Sequence, residues 1–244
     1  ERIKRMKTYS ITDTGALREM NQDYFFASDD PVGNLPNLYI VADGMGGHRA
    51  GGHASSFAVE RFVELIEESD QTDPIELMKA CIATVNQEMI VKSNENEEYA
   101  GMGTTFVAAT VSDHKVTVMN IGDSRLYYGN KELKQITVDH SYVEELINAG
   151  MLDREQGRLH PKKNVITRAL GSQAATPDFF EFEAQEGYLL LCSDGLSNMI
   201  SDDELKELLL DHDQIANKTN QMIARANEYG GKDNISLVIV DLKR

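Results

Sequence analysis

A chain of 244 residues with 41% hydrophobic and 26% charged side chains can build an ordinary buried core, which excludes wholesale disorder and a fibrous repeat. Lys+Arg 24 against Asp+Glu 40 gives a net charge of −16. A surface so acidic repels phosphate backbones, and nucleic acid is excluded as the expected partner. No apolar run approaches the ~20 residues of a membrane span, and Glu1-Arg2-Ile3-Lys4-Arg5 lacks the apolar stretch of a signal peptide. A cytoplasmic protein without a membrane partner is expected.

Gly and Pro are scattered, with no composition break or internal repeat, so residues 1–244 read as one domain. Met6 is one candidate for the natural start, with residues 1–5 then an addition. Leu38-Tyr39-Ile40-Val41-Ala42 predicts a strand that ends in the glycine loop Asp43-Gly44-Met45-Gly46-Gly47. From Ala54 the period becomes helical, with Phe57, Ala58, Phe62, Leu65 and Ile66 on one face. A second helix runs from about Pro74 with Met78, Ile82, Val85 and Met89 as its apolar stripe. Thr104 to Val111, Lys115 to Ile121 and Arg125 to Tyr128 are β-prone segments separated by Asp113-His114 and Gly122-Asp123, the pattern of an antiparallel meander.

Residues 139–170 predict one short helix carrying Tyr142, Val143, Leu146 and Ile147. A polar segment follows, and the whole reads as an insertion or lid. Tyr188-Leu189-Leu190-Leu191-Cys192 is a buried strand ending in Ser193-Asp194-Gly195. Two amphipathic helices come next, and Ile235 to Val240, opened by Asp233-Asn234, is the last strand. Helix pairs alternating with strand groups make the fold class α+β, with helices packed on antiparallel sheets. Cys81 in a helical pattern and Cys192 in a strand read as buried free thiols.

Asp43, Asp123, Asp194 and Asp233 each border an apolar β segment beside Gly or Asn. A strand delivers a side chain to a fixed point at a sheet rim, and a flanking glycine lets the backbone turn and expose its carbonyl. One such aspartate reads as a turn residue bonding its own backbone; four in the same setting point to convergence. Converged carboxylates stay ionised only around cations, and hard oxygen donors suit Mg²⁺ or Mn²⁺. Two such cations share a water, lower its pKa and neutralise a phosphoryl group, which is hydrolytic chemistry. Arg18 can grip two phosphate oxygens through its planar fork, while Asp23 adds a further oxygen; taken alone, Arg18 reads first as a surface ion pair with a neighbouring Glu.

Six ordered motifs carry a family resemblance: Arg18-x-x-Asn21-Gln22-Asp23, Val41-Ala42-Asp43-Gly44-Met45-Gly46-Gly47-His48, Gly101-Met102-Gly103-Thr104-Thr105, Ile121-Gly122-Asp123-Ser124-Arg125, Leu191-Cys192-Ser193-Asp194-Gly195-Leu196 and Lys232-Asp233-Asn234-Ile235. From about Thr8 to Val240 the chain resembles the metal-dependent protein phosphatases of the protein phosphatase 2C type. Within them it is most similar to the compact bacterial serine/threonine phosphatases that oppose Hanks-type kinases. The resemblance implies a four-layer αββα sandwich, two central antiparallel sheets flanked by pairs of helices. It implies that Asp43 bridges two metals, Gly44 adds its carbonyl, and Asp194 with Asp233 completes the first metal. Asp23 then lies near the second metal, and Asp123 with Asp194 holds a weaker third. It makes Arg18 the phosphate carrier and residues 140–170 a flap bearing on substrate choice. Gln22 stands where many eukaryotic relatives have Glu, which implies a weaker second-metal shell and greater dependence on added Mn²⁺.

His48, after the glycine loop, has two readings, a proton donor to the departing seryl or threonyl oxygen or a structural histidine. His48 and His53 lack the further ligand a zinc site needs. His160, Lys162, Lys163 and Arg168 form a basic island that either steers phosphopeptides or is a solvated flap surface. Cysteine-nucleophile phosphatase chemistry wants an arginine six positions on, where Gln87 and Asn198 stand, and no nucleotide-binding phosphate loop is present. The expected activity is Mg²⁺/Mn²⁺-dependent hydrolysis of protein phosphoserine and phosphothreonine without a phosphoenzyme, by a monomer whose partners are phosphoproteins including a Ser/Thr kinase. The alternatives are a metal-binding module that has lost turnover and a phosphatase dedicated to an anti-sigma antagonist.

Overall fold

The computed structural model describes residues 6–47, 49–173 and 175–243. Its first strands are β1 (Lys7–Asp13), β2 (Asp23–Ser28), β3 (Leu38–Met45) and the two-residue β4 (Gly103–Thr104). Then come β5 (Phe106–Ser112), β6 (Lys115–Ile121), β7 (Arg125–Gly129) and β8 (Leu133–Gln135). The last are β9 (Asp178–Glu183), β10 (Tyr188–Cys192) and β11 (Ile235–Asp241). They pair antiparallel into one sheet of order β1-β11-β10-β7-β8 and a second of order β2-β3-β5-β6-β9, with β4 on β3.

The helices are α1 (Ala50–Glu68), α2 (Pro74–Glu95), α3 (Tyr142–Asn148), α4 (Arg154–Leu159), α5 (Asp194–Ser197), α6 (Asp202–Leu210) and α7 (Ile215–Glu228). Alternation along the strands creates three separate apolar clusters. Tyr39, Val41, Val107, Val118, Leu189, Leu191 and Val238 fill the space between the sheets. Ile40, Phe106 and Met119 face the other way, against Phe62 and Ile66 of α1 and the predicted Met78, Ile82, Val85 and Met89 of α2. Leu190, Cys192, Leu237 and Ile239 meet Leu196, Leu205, Leu209 and Met222 on the far side. These clusters are the seams of the αββα sandwich. Cys81 and Cys192 are free and buried, as expected.

Phe62 is fully buried and meets Phe106 edge-on, ring centroids 5.0 Å apart. Phe62→Ala is expected to cost about 3–5 kcal/mol, read as a lower urea midpoint at unchanged m-value. α1 begins at Ala50, four residues before the sequence pattern announces it, because Gly51 and Gly52 look like loop. A Cβ on Gly51 would come within 2.6–2.9 Å of Gln22 and the Gly44 carbonyl, so close packing on the β3 loop selects that glycine.

The meander is corrected. β6 pairs with β5 and β9, whereas β7 crosses to the other sheet and pairs with β10 and β8. The Gly122-Asp123 pair resembles a hairpin turn, but Gly122 has φ +104° and a Cβ there would lie 2.7 Å from Thr105. The chain turns from one sheet into the other at that point. The lid also differs from its single predicted helix. α4 is a second one, started by a capping box between Asp153 and Gln156. Gly157, which reads as a loop residue, lets α4 approach α3: a Cβ would meet Ile147 and Val143 at 2.9 Å.

Candidate active site

The carboxylates gather at one rim of the sandwich, and each sheet supplies part of the set. In the six-stranded sheet Asp23 opens β2 and stands directly opposite Asp43 on β3. Asp123 sits in the crossing from β6 to β7. In the five-stranded sheet Asp194 follows β10 as the first residue of α5, and Asp233 precedes β11 by two residues. Arg18, Asp43, Gly44, Asp123, Asp194 and Asp233 line one cleft of about 290 Å³ together with Gln22 and Asn234. Asp23 is buried behind that wall. His48 lies outside the described residues; His53, its spacing partner, stacks on Tyr99 at 4.1 Å.

Burial and mutual repulsion make this set costly to ionise. Burial, then Asp194 and Asp233, pushes Asp23 up to about 7 against hydrogen bonds from Ser193 and Ser236. Burial and Asp233 push Asp194 up to about 6, held back by a side-chain hydrogen bond with Asp43. Burial followed by the neighbouring aspartates holds Asp43 and Asp123 well above the carboxylate range. Arg18 supplies the one direct cationic contact to the set among the described residues, Nη2 to Asp233 Oδ2 at 2.8 Å. That is a different partner from the neighbouring Glu allowed by the sequence.

The donor chemistry fits divalent cations. Asp23 Oδ1, Asp123 Oδ1 and Asp194 Oδ1 are buried without a hydrogen-bond partner among the described residues. Such oxygens are rarely left orphaned. They are hard anionic donors beside a glycine that must be glycine, since a Cβ on Gly44 would fall 2.0 Å from the Gly51 carbonyl oxygen. Among the described residues no three of these groups already close around a common point. Arg18 on Asp233 and Asp43 against Asp194 satisfy some of the same charge.

A supporting shell aims these groups, and sequence reasoning missed it. Ser193 Oγ donates to Asp23 Oδ2 at 2.7 Å and accepts from the Ser236 amide at 3.0 Å. Asn198 Nδ2 donates to Asp194 Oδ2 at 2.8 Å. Thr105 Oγ1 accepts from the Asp43 amide at 2.9 Å. Asn234 is buried and fastens the Arg18 loop: Oδ1 accepts from the Gln22 amide at 2.8 Å, and Nδ2 donates to the carbonyls of Thr14 and Met20 at 2.8 and 2.9 Å. Ser193, Thr105 and Asn234 lie inside the sequence motifs, but only the fold reveals what they touch.

A second cavity, about 360 Å³, opens beside the first under α3 and α4 and shares Asp123 and Asp194 with it. Of the predicted basic island only Lys163 lines it. Arg168 pairs with Asp178 at 3.0 Å, and Lys162 lies over the Tyr142 ring at 5.2 Å.

The family model for protein phosphatase 2C matches residues 16–237. The serine/threonine phosphatase stp of Listeria monocytogenes is 40% identical over 239 residues, spanning 94% of this chain and 93% of that protein. The protein phosphatase PhpP of Streptococcus pneumoniae is 37% identical over 242 residues, 97% of this chain and 98% of its own. The crystal structure of Stp1 from Staphylococcus aureus superposes with a TM-score of 0.91 at 32% identity, covering 99% of this chain and 96% of that one. The catalytic domain of PstP in complex with two manganese ions gives 0.87 at 30% identity, covering 98% and 99%. With its carboxylate rim, its αββα layers and relatives matched along nearly their whole length, the chain belongs to the protein phosphatase 2C family, among the bacterial serine/threonine phosphatases.

Proposed function

We propose that this chain hydrolyses phosphoserine and phosphothreonine in proteins, with Asp43, Gly44, Asp194 and Asp233 holding two Mn²⁺ or Mg²⁺ ions and Asp23 close to the second. Asp123 with Asp194 would hold a weaker third. The observation that carries this reading is the convergence of five aspartates from two sheets, three of them with unpartnered buried oxygens. When bound, divalent cations lower the pKa of water and neutralise phosphoryl oxygens.

The chain's own residues do the rest. Asp43 and Asp194, fixed at strand ends by Thr105 and Asn198, are held in place before substrate arrives, which avoids reorganisation during reaction. Arg18 is half exposed at the cleft, so its guanidinium can exchange Asp233 for two phosphate oxygens. His48 remains the sequence's candidate for protonating the departing oxygen. The substrates are phosphoproteins; a Hanks-type kinase and its targets are the class the sequence resemblance implies, and a monomer suffices because every named group comes from one chain.

The test is hydrolysis of an aryl phosphate and of a phosphothreonine protein with and without Mn²⁺. Turnover only with metal is expected. Mn²⁺ binding by calorimetry with no turnover on either substrate would instead make the protein a binding module. Arg18→Ala is expected to raise KM roughly tenfold while kcat stays within about threefold, since the residue supplies ground-state phosphate binding. Steady-state kinetics on the aryl phosphate check it, and an unchanged KM removes Arg18 from the role.

A further inference from the structure

The turn that carries Asp123 is held from outside its own sheet. The Gly122 amide donates to His140 Nδ1 at 3.1 Å, and the His140 amide donates back to the Gly122 carbonyl at 2.9 Å. Because Nδ1 accepts, the ring proton sits on Nε2, which faces Asp178 Oδ2 at 2.9 Å. Asp178 is fixed in turn by Arg168 Nη1 at 3.0 Å on its other oxygen. The His140 carbonyl accepts from the Thr167 amide at 2.8 Å, which closes the root of the segment bearing α3 and α4. His140 is itself buried. The imidazole therefore touches the Asp123 turn and the first residue of β9, while the main chain of the same residue touches the base of the lid.

We infer that His140 is a positioning residue: through Gly122 it fixes the direction of Asp123, and through Thr167 it ties that direction to the root of the lid. The inference rests on the proposed metal-dependent phosphatase. Asp123 Oδ1 has no partner of its own among the described residues, so its aim depends on the turn beneath it. Supporting residues of this kind typically change metal affinity or activity roughly tenfold to a hundredfold.

The test compares His140→Asn, whose side-chain oxygen falls near the place of Nδ1, with His140→Gln, which reaches the place of Nε2, and with His140→Ala. Gly122 amide exchange is read by NMR in the metal-free protein, and kcat, KM and the Mn²⁺ concentration for half-activation are measured on an aryl phosphate. In the Ala and Gln variants the Gly122 amide is expected to exchange at least about tenfold faster. The same two variants should need several-fold more Mn²⁺ and lose roughly tenfold or more in kcat, with KM within about twofold. Asn should recover most of each loss.

Gly122 protection unchanged in all variants, rescue by Gln as complete as by Asn, or a raised KM at unchanged Mn²⁺ requirement would overturn the inference. Exchange in β3 and β11 reports whether a variant has unfolded. If His140→Ala has unfolded, the His140→Asn and His140→Gln pair, which keeps a polar side chain, carries the test, and a Gly122 amide equally protected in the two refutes the hold. Wild-type protein without turnover would refute the phosphatase reading alone, since Gly122 exchange still judges His140.

Discussion

Asp43→Asn is expected to lower kcat by roughly three orders of magnitude and, in the same protein, to raise the thermal midpoint measured in chelator. The two effects share one cause. Asp43 is buried opposite Asp23 and within hydrogen-bonding reach of Asp194, so its ionised form is repelled from both sides. Asparagine keeps the shape, removes the charge and can donate to Asp194. Without metal the sandwich therefore gains. With metal it would lack one of the anionic oxygens proposed to hold the cations; forfeiting about 4 kcal/mol of charge stabilisation corresponds to a factor of about a thousand. Steady-state kinetics with saturating Mn²⁺ and calorimetry with chelator measure the two arms. Wild-type turnover in the variant would end the proposed mechanism; a lower metal-free midpoint would end the account of strain among the aspartates.

Chelation is expected to destabilise the protein far more at pH 8 than at pH 5. Asp23, pushed up to about 7, and Asp194, to about 6, hold protons in the metal-free fold that the unfolded chain, with carboxylates at 3.8, has already released. The folded state thus binds more protons than the unfolded one, and stability falls as pH rises from about 4 to about 7. Asp43 and Asp123 act with the same sign. Asp178 and Asp213, whose pKa values are lowered, contribute stability that is lost only at lower pH. His53, lowered by burial, opposes the trend below its ordinary 6.5, one group against four. Bound cations replace those protons, so Mn²⁺ binding at pH 6 should release protons, and the share that comes from Asp23 and Asp194 should be smaller at pH 8. At about 2–4 °C per kcal/mol for a chain of this size, scanning calorimetry with and without Mn²⁺ resolves the crossing. A metal-free midpoint that climbs from pH 5 to pH 8 would contradict the arrangement.

The elements easiest to read were those where an apolar run stops at a carboxylate. Leu38–Ala42 before Asp43, Tyr188–Cys192 before Asp194 and Ile235–Val240 after Asp233 all lie in strands, because a fully buried strand is a continuous apolar word. β1, Lys7–Asp13, is half polar, and β2 and β9 open on an aspartate; none of the three stands out by hydrophobicity. Partner choice was equally hidden. Gly122-Asp123 looks the same whether the next strand folds back on β6 or leaves for the other sheet, and only long-range pairing with β10 decides. The five aspartates could be suspected from local context, whereas Asn234, Ser193 and His140 act through atoms up to 220 residues away in the chain. Asp23 falls between these cases: its residue type was visible, its register opposite Asp43 was not.

Asp23 and Asp43 hang on one sheet, Asp194 and Asp233 on the other, and behind the rim, where Ser193 reaches across to Asp23, the sheets meet mainly through apolar side chains. Ions held by both would act as a clasp across a greasy seam. A methyl group added or deleted at Val41 or Leu191, well inside the sandwich, would then retune the spacing of the metal pair without touching it, giving natural variation a way to adjust catalysis from the interior.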